Sequence, residues 1–128
     1  MLDTHIAIWA IADHPSLSSK ARNLIDDPDN EIVVSAATIW EIAIKHALVR
    51  GNPNDMPISG REALGYFREA WFQVLDISPT HAAAVETLPP LHADPFDRLL
   101  VAQGMTVPSR FVTHDPKVVA YSDSIIVV

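Results

Sequence analysis

The chain has 128 residues, 48% of them apolar, and carries 9 Lys and Arg against 16 Asp and Glu, a net charge of −7. That is the length of one domain, 1–128, with enough apolar content to bury a core rather than stay disordered. Cysteine is absent, which excludes a disulfide framework, a thiolate metal centre and a cysteine nucleophile.

Met1-Leu2 is the stub of a first strand that ends at Asp3-Thr4. Ile6 to Ala12 reads as a buried helix, stopped by Asp13-His14-Pro15. Ser18 or Ser19 then caps a helix through Ala21, Leu24 and Ile25, and Glu31 to Val34 is a short β-branched strand. Ser35 to Val49 is the clearest helix, with Ile39, Ile42, Ala43, Ala47 and Leu48 near a 3.6 period and Gly51 closing it. Asn52 to Pro57 is a loop.

Ser59 and Glu62 make a capping box for a helix through Leu64, Phe67 and Trp71, followed by a strand over Phe72 to Ile77. Ser78-Pro79 opens a helix through Ala83 and Leu88, and Leu88-Pro89-Pro90-Leu91 is a stiff connector. Asp94-Pro95 repeats the cap-plus-proline device before a helix that stops near Gly104. Phe111 to Thr113 is a strand, Asp115-Pro116 a third cap, and Ile125 to Val128 the last strand. Strands alternating with helices predict an α/β fold with a parallel sheet covered on both faces, its ligands beyond the carboxyl ends of the strands.

Asp3, Glu41, Asp97 and Asp115 fall at those strand exits. Carboxylates gathered there repel by roughly 4 kcal/mol per pair at ~4 Å and an effective dielectric of about 20. A divalent cation relieves that repulsion, and hard oxygen ligands select Mg²⁺ or Mn²⁺. Such a centre can activate a water and stabilise the leaving oxygen of a phosphodiester. Each acid also has a structural role open to it: Asp3 and Asp115 as helix caps, Asp97 as a first-turn acid, and Glu41 as the partner of Lys45 or of a cap at Thr38. Their joint placement carries the inference.

Thr4 and Thr113, expected as exposed strand-end threonines, can orient a carboxylate or a water. Lys45 and Arg98 are candidates to meet phosphate, or else to form a helix pair and a surface ion pair. None of the six histidines has zinc-site spacing; His5 and His114 adjoin the acids and are candidate substrate contacts, whereas His46 and His81 are expected on helix surfaces. A net charge of −7 suits a basic or amphipathic protein partner better than a generic nucleic-acid surface. The apolar start is too short to span a bilayer and lacks a basic lead-in, so a soluble, cytoplasmic protein with no membrane partner is expected.

Leu2-Asp3-Thr4-His5, Trp40-Glu41-Ile42-Ala43-Ile44-Lys45, Asp94-Pro95-Phe96-Asp97-Arg98-Leu99-Leu100 with Ala102-Gln103, and Val112-Thr113-His114-Asp115 with Tyr121 resemble the PIN-domain family, most of all its VapC-type toxins. The resemblance implies a three-layer α/β/α sandwich with a central, mostly parallel sheet. It also implies an Mg²⁺- or Mn²⁺-dependent endoribonuclease, the toxin of a toxin–antitoxin pair, commonly a homodimer held inactive by a small antitoxin. Asp3, Glu41, Asp97 and Asp115 match the family's metal-binding acids, and Thr113 matches its hydroxyl position. The first strand departs from the pattern, because only Met1 and Leu2 precede Asp3. That predicts a shortened central strand, or a start upstream, and an Asp3 less firmly held than its counterparts. Two other functions remain open at this point: a catalytically weak scaffold that acts as a binding module or, with an antitoxin, as an operator-binding repressor, and a phosphoryl-transfer enzyme with Asp3 as nucleophile. Ala43, Ala47 and Leu48, with Leu64 to Trp71, are the candidate antitoxin groove.

Overall fold

Alternation along the strands decides the architecture. In the computed structural model, which describes residues 1–52 and 55–128, Met1, Phe111 and Ile125 point to one face of the sheet and Leu2, Val112, Val34 and the flanking Ile126 to the other. Each face is covered by helices, so two separate cores form around one sheet. Pro53 and Asn54 of the expected Asn52–Pro57 loop lie outside the described residues.

The helices are α1 (Thr4–Ile11), α2 (Ser19–Asp26), α3 (Ala36–Ala47), α4 (Gly60–Glu69), α5 (Pro79–Ala84) and α6 (Pro95–Thr106). The strands are β1 (Val33–Ser35), β2 (Gln73–Leu75), β3 (Phe111–Thr113) and β4 (Ile125–Val127). β1 pairs with β2 and β3 with β4, both in parallel. The Met1–Asp3 stub joins the two pairs: Leu2 N donates to Val33 O, and Val112 N and Asp3 N exchange bonds with Met1 O and Val112 O. The order across the sheet is therefore β2, β1, the stub, β3, β4. As expected from the sequence, the central strand is short, reduced to the bridge between Leu2 and Val112.

Ile6, Ala7, Ala21, Ile42, Ala63 and Phe67 from α1 to α4 fill one core; Leu100, Val101 and Ala102 of α6, with Leu88, Val118 and Tyr121, fill the other. Among the described residues no helix is long and apolar enough to cross a membrane.

Several expected boundaries move, each for a visible reason. Helix α6 runs past Gly104 to Thr106. The glycine is there for close packing, since a Cβ on it would lie 3.0 Å from that of Phe111 on β3. Helix α4 ends at Glu69 and does not include Trp71, whose φ of 61° turns the chain back into β2. That turn leaves the Trp71 ring 92% exposed. The stretch after Ala84 tightens into a 3-10 turn at Val85–Thr87, and Asp115-Pro116 opens a 3-10 helix (Pro116–Tyr121) rather than an α-helix.

Candidate metal centre

Capping places the acids. Asp3 is the N-cap of α1: its Oδ1 accepts from Ile6 N at 2.8 Å, and its Oδ2 from His114 N at 3.3 Å. Asp3 is 7% exposed and engaged on both oxygens, so it is held firmly despite the short strand. Ser35, at the end of β1, caps α3 by accepting from Ala37 N. Glu41 is therefore a full turn inside that helix and not the far member of a box on Thr38. Asp94 caps α6 by accepting from Phe96 N and Asp97 N, which frees Asp97 to face away from its own backbone. Asp115 accepts from Lys117 N at 2.9 Å as the cap of the last 3-10 helix.

Asp3, Asp97 and Asp115 line one cleft of about 370 Å³, together with His5, Thr113 and His114. Glu41 is set back from it. Its carboxylate, 3% exposed, accepts from Thr4 Oγ1 at 2.5 Å and pairs with Lys45. Burial raises the pKa of Asp97 from its ordinary value, and the negative charges of Asp94, Glu41 and Asp3 add to that, against the opposing pull of His92. Asp3 behaves in the opposite way. Burial alone would push its carboxyl up, but the His114 side chain, the Ile6 amide and the Thr113 hydroxyl together bring it below the ordinary value. Three carboxylates open on one cleft, a donor chemistry suited to a hard dication, and one of them is charged only against its neighbours' repulsion. Among the described residues, however, it is Asp3, His5 and His114 that bring three ligand atoms within 4.8 Å of one another, and Asp97 and Asp115 stand outside that group.

His92 is the residue that sequence reasoning missed. Its imidazole lies between two of the acids, with Nδ1 3.5 Å from Asp97 Oδ2 and Nε2 3.2 Å from Asp115 Oδ2. The closer approach is misaligned, so Nε2 is buried without a hydrogen-bonded partner. Its backbone N–H is held by the Tyr121 hydroxyl at 2.9 Å. A lone histidine in a proline-rich connector carries no spacing signal.

Thr4 and Thr113 are buried, not exposed as expected. Thr113 Oγ1 accepts from Asp115 N at 3.1 Å and so fixes the turn that presents Asp115. Lys45 reaches Glu41, as the helix spacing predicts, and its side chain remains 44% exposed. Arg98 departs from both expectations for it. Its guanidinium donates to the carbonyls of Val85, Leu88, Pro89 and His92, pinning the 85–92 connector instead of facing phosphate or a surface acid. His81 is half-buried and turned inward: its Nδ1 accepts from Ser78 N and meets Gln103, whose fully buried amide also bonds Ser35 and the Asp76 carbonyl.

The PIN domain family model matches residues 1–123. The chain belongs to the PIN domain family. No curated protein matches it significantly. Among solved structures, this PIN domain is similar to a chain of VapBC2 from Rickettsia felis bound to a DNA fragment from their promoter. That likeness has a TM-score of 0.69 at 19% identity over 100% of this chain and 96% of the other, and it shows the shared fold.

Proposed function

We propose that this PIN domain, a single domain over 1–128, is a cytoplasmic Mg²⁺- or Mn²⁺-dependent endoribonuclease. On this account it is the toxin of a toxin–antitoxin pair, a homodimer restrained by a small antitoxin. The observation that carries the proposal is the cleft of Asp3, Asp97 and Asp115, in which Asp97 is held above its ordinary pKa partly by Glu41 and Asp3. Like charges converging on open space call for a cation. The family and the VapBC2 likeness support the class and an antitoxin partner.

Asp3, Asp97 and Asp115 would hold the ion, with Glu41 behind them. A divalent cation there supplies charge neutralisation at a phosphodiester and makes a water acidic enough to attack it. The protein's own groups do the rest. Thr113 fixes Asp115, and His92 lies between Asp97 and Asp115. Lys45, tethered to Glu41 yet half exposed, can meet a phosphate, and His5 and His114 at the mouth can contact RNA. His114 Nδ1, 3.5 Å from Asp3 Oδ2, can hold a proton beside the acids. Arg98 is occupied by four carbonyls and serves the cleft by fixing the His92 connector.

For the antitoxin, Ala43, Ala47 and Leu48 of the expected groove are exposed, as are Tyr66 and Trp71, whereas Phe67 belongs to the core. Trp40 and Ile44, exposed eight and four residues before Leu48, extend that candidate surface.

Induced expression should arrest growth, and Asp97→Asn or the product of an adjacent small reading frame should relieve it. Arrest that persists undiminished in the variant contradicts the proposal. A second reading, a weak scaffold acting with an antitoxin as an operator-binding module, draws on the −7 charge and on Glu41's engagement by Lys45. It predicts no heat on titration with Mn²⁺ and no RNA cleavage by the free protein.

A further inference from the structure

We propose that Asp3, His5 and His114 form a site for a borderline divalent cation of the Zn²⁺ class, separate from the oxygen donors Asp97 and Asp115. One ligand atom from each of the three residues lies within 4.8 Å of the other two. The spacing between His114 Nδ1 and Asp3 Oδ2 is 3.5 Å. Two ligands of a tetrahedral ion with bonds of about 2.0–2.2 Å stand ~3.3–3.5 Å apart, so this pair already has the separation a shared ion needs. His5 completes the set by a turn of its ring, which is exposed on the first turn of α1 and meets the His114 ring at a centroid distance of 5.0 Å.

The framework behind the ligands is rigid. Asp3 is buried and its other oxygen is fixed by the Ile6 amide at 2.8 Å, an outer-shell bond of the kind that orients a ligating carboxylate. The Trp9 ring backs both histidines, with centroids 5.9 Å from His5 and 5.0 Å from His114. Asp97 and Asp115 add negative charge at His114 without joining the triad. Donor chemistry separates the two sites: imidazole nitrogens favour Zn²⁺, Co²⁺ or Ni²⁺, whereas an all-oxygen set favours Mg²⁺. Because Asp3 is shared, an ion bound through the histidines ties up a carboxylate of the acid cleft. The site itself does not depend on the nuclease assignment.

The test is binding to the chelator-stripped full chain, with CoCl₂ followed by its visible absorption and ZnCl₂ by calorimetry. The expected result is a nitrogen-ligated Co²⁺ spectrum that saturates at one ion per chain, displaced by equimolar Zn²⁺ and accompanied by quenching of tryptophan fluorescence. His5→Ala and His114→Ala should each weaken binding by at least ~10-fold, the least that loss of an outer-shell partner costs a metal site. Both histidines are exposed, and circular dichroism checks that the variants fold. Asp97→Asn, which removes a nearby charge but no ligand, should leave the nitrogen-ligated spectrum unchanged and weaken binding less than either histidine variant. Absence of a Co²⁺ signal, wild-type affinity in the histidine variants, or loss of the signal in Asp97→Asn would each overturn the proposal. Since no arm measures RNA cleavage, failure here leaves the nuclease test independent.

Discussion

Thr4 Oγ1 donates to Glu41 Oε2 at 2.5 Å, joining the first residue of α1 to the inner turn of α3 beneath the acid cleft. The bond is buried, and it positions the one acid of the set that does not line the cleft. Thr4→Val keeps the shape and removes the donor. It should cost about 1.5–3 kcal/mol, the range for hydrogen bonds to charged groups, measured by urea unfolding. A stability change below experimental error would show that Lys45 alone satisfies Glu41.

Asp97 gives a prediction of opposite sign. Its pKa is raised in the fold, by burial first and then by Asp94, Glu41 and Asp3. An acid raised above its unfolded value contributes stability only at low pH, and that contribution is lost as pH rises through the folded pKa. At neutral pH without metal, the ionised carboxylate is therefore a liability. Asp97→Asn should raise Tm in EDTA while abolishing RNA cleavage in Mg²⁺. Cleavage retained, with Tm lowered, would remove Asp97 from the proposed centre.

His114 carries the pH dependence. Its pKa is raised chiefly by the Asp3 hydrogen bond, against an opposing effect of burial, with Asp115 and Asp97 adding to the rise. A base raised above 6.5 contributes stability fully below that value and loses it as pH rises through the folded pKa. In EDTA, the His114 ring resonances should titrate with a midpoint above 6.5, and Asp3→Asn should lower it. A midpoint unmoved by that substitution contradicts the pairing.

Much of this was legible in the sequence because two of the candidate metal-binding acids, Asp3 and Asp115, are also helix caps, and Asp97 lies three residues past the cap Asp94. Asp3, Asp94-Pro95 and Asp115-Pro116 announced helix starts at strand exits, and the structure has Asp3, Asp97 and Asp115 at one cleft. Tertiary geometry hid the rest. Gly104 reads as a helix stop, but packing against Phe111 requires it within α6. Arg98, expected to meet phosphate or a surface acid, instead satisfies four backbone carbonyls, and Gln103 satisfies that of Asp76, partners that no local pattern identifies. Trp71, expected within a helix, lies past its end and is the most exposed large apolar side chain among the described residues.

Gln103 and Gly104 make the packing claim testable. Gln103→Leu leaves the Asp76 carbonyl and the Ser35 hydroxyl without their partner and should destabilise by about 1–3 kcal/mol. Gly104→Ala forces a methyl to within 3.0 Å of Phe111 Cβ. The expected cost is about 1–3 kcal/mol, typical of overpacking. Calorimetric unfolding checks both, and a stabilised Gly104→Ala would mean that α6 and β3 separate easily.

Whether the carboxylates bind a divalent ion used to cut RNA is decided by incubating a labelled RNA pool with the purified, antitoxin-free chain. Cutting is expected with Mg²⁺ or Mn²⁺, with none in EDTA, recovery when the ion is restored, and none at any ion concentration for folded Asp97→Asn. Cutting that survives EDTA or that substitution rules the metal-dependent nuclease out.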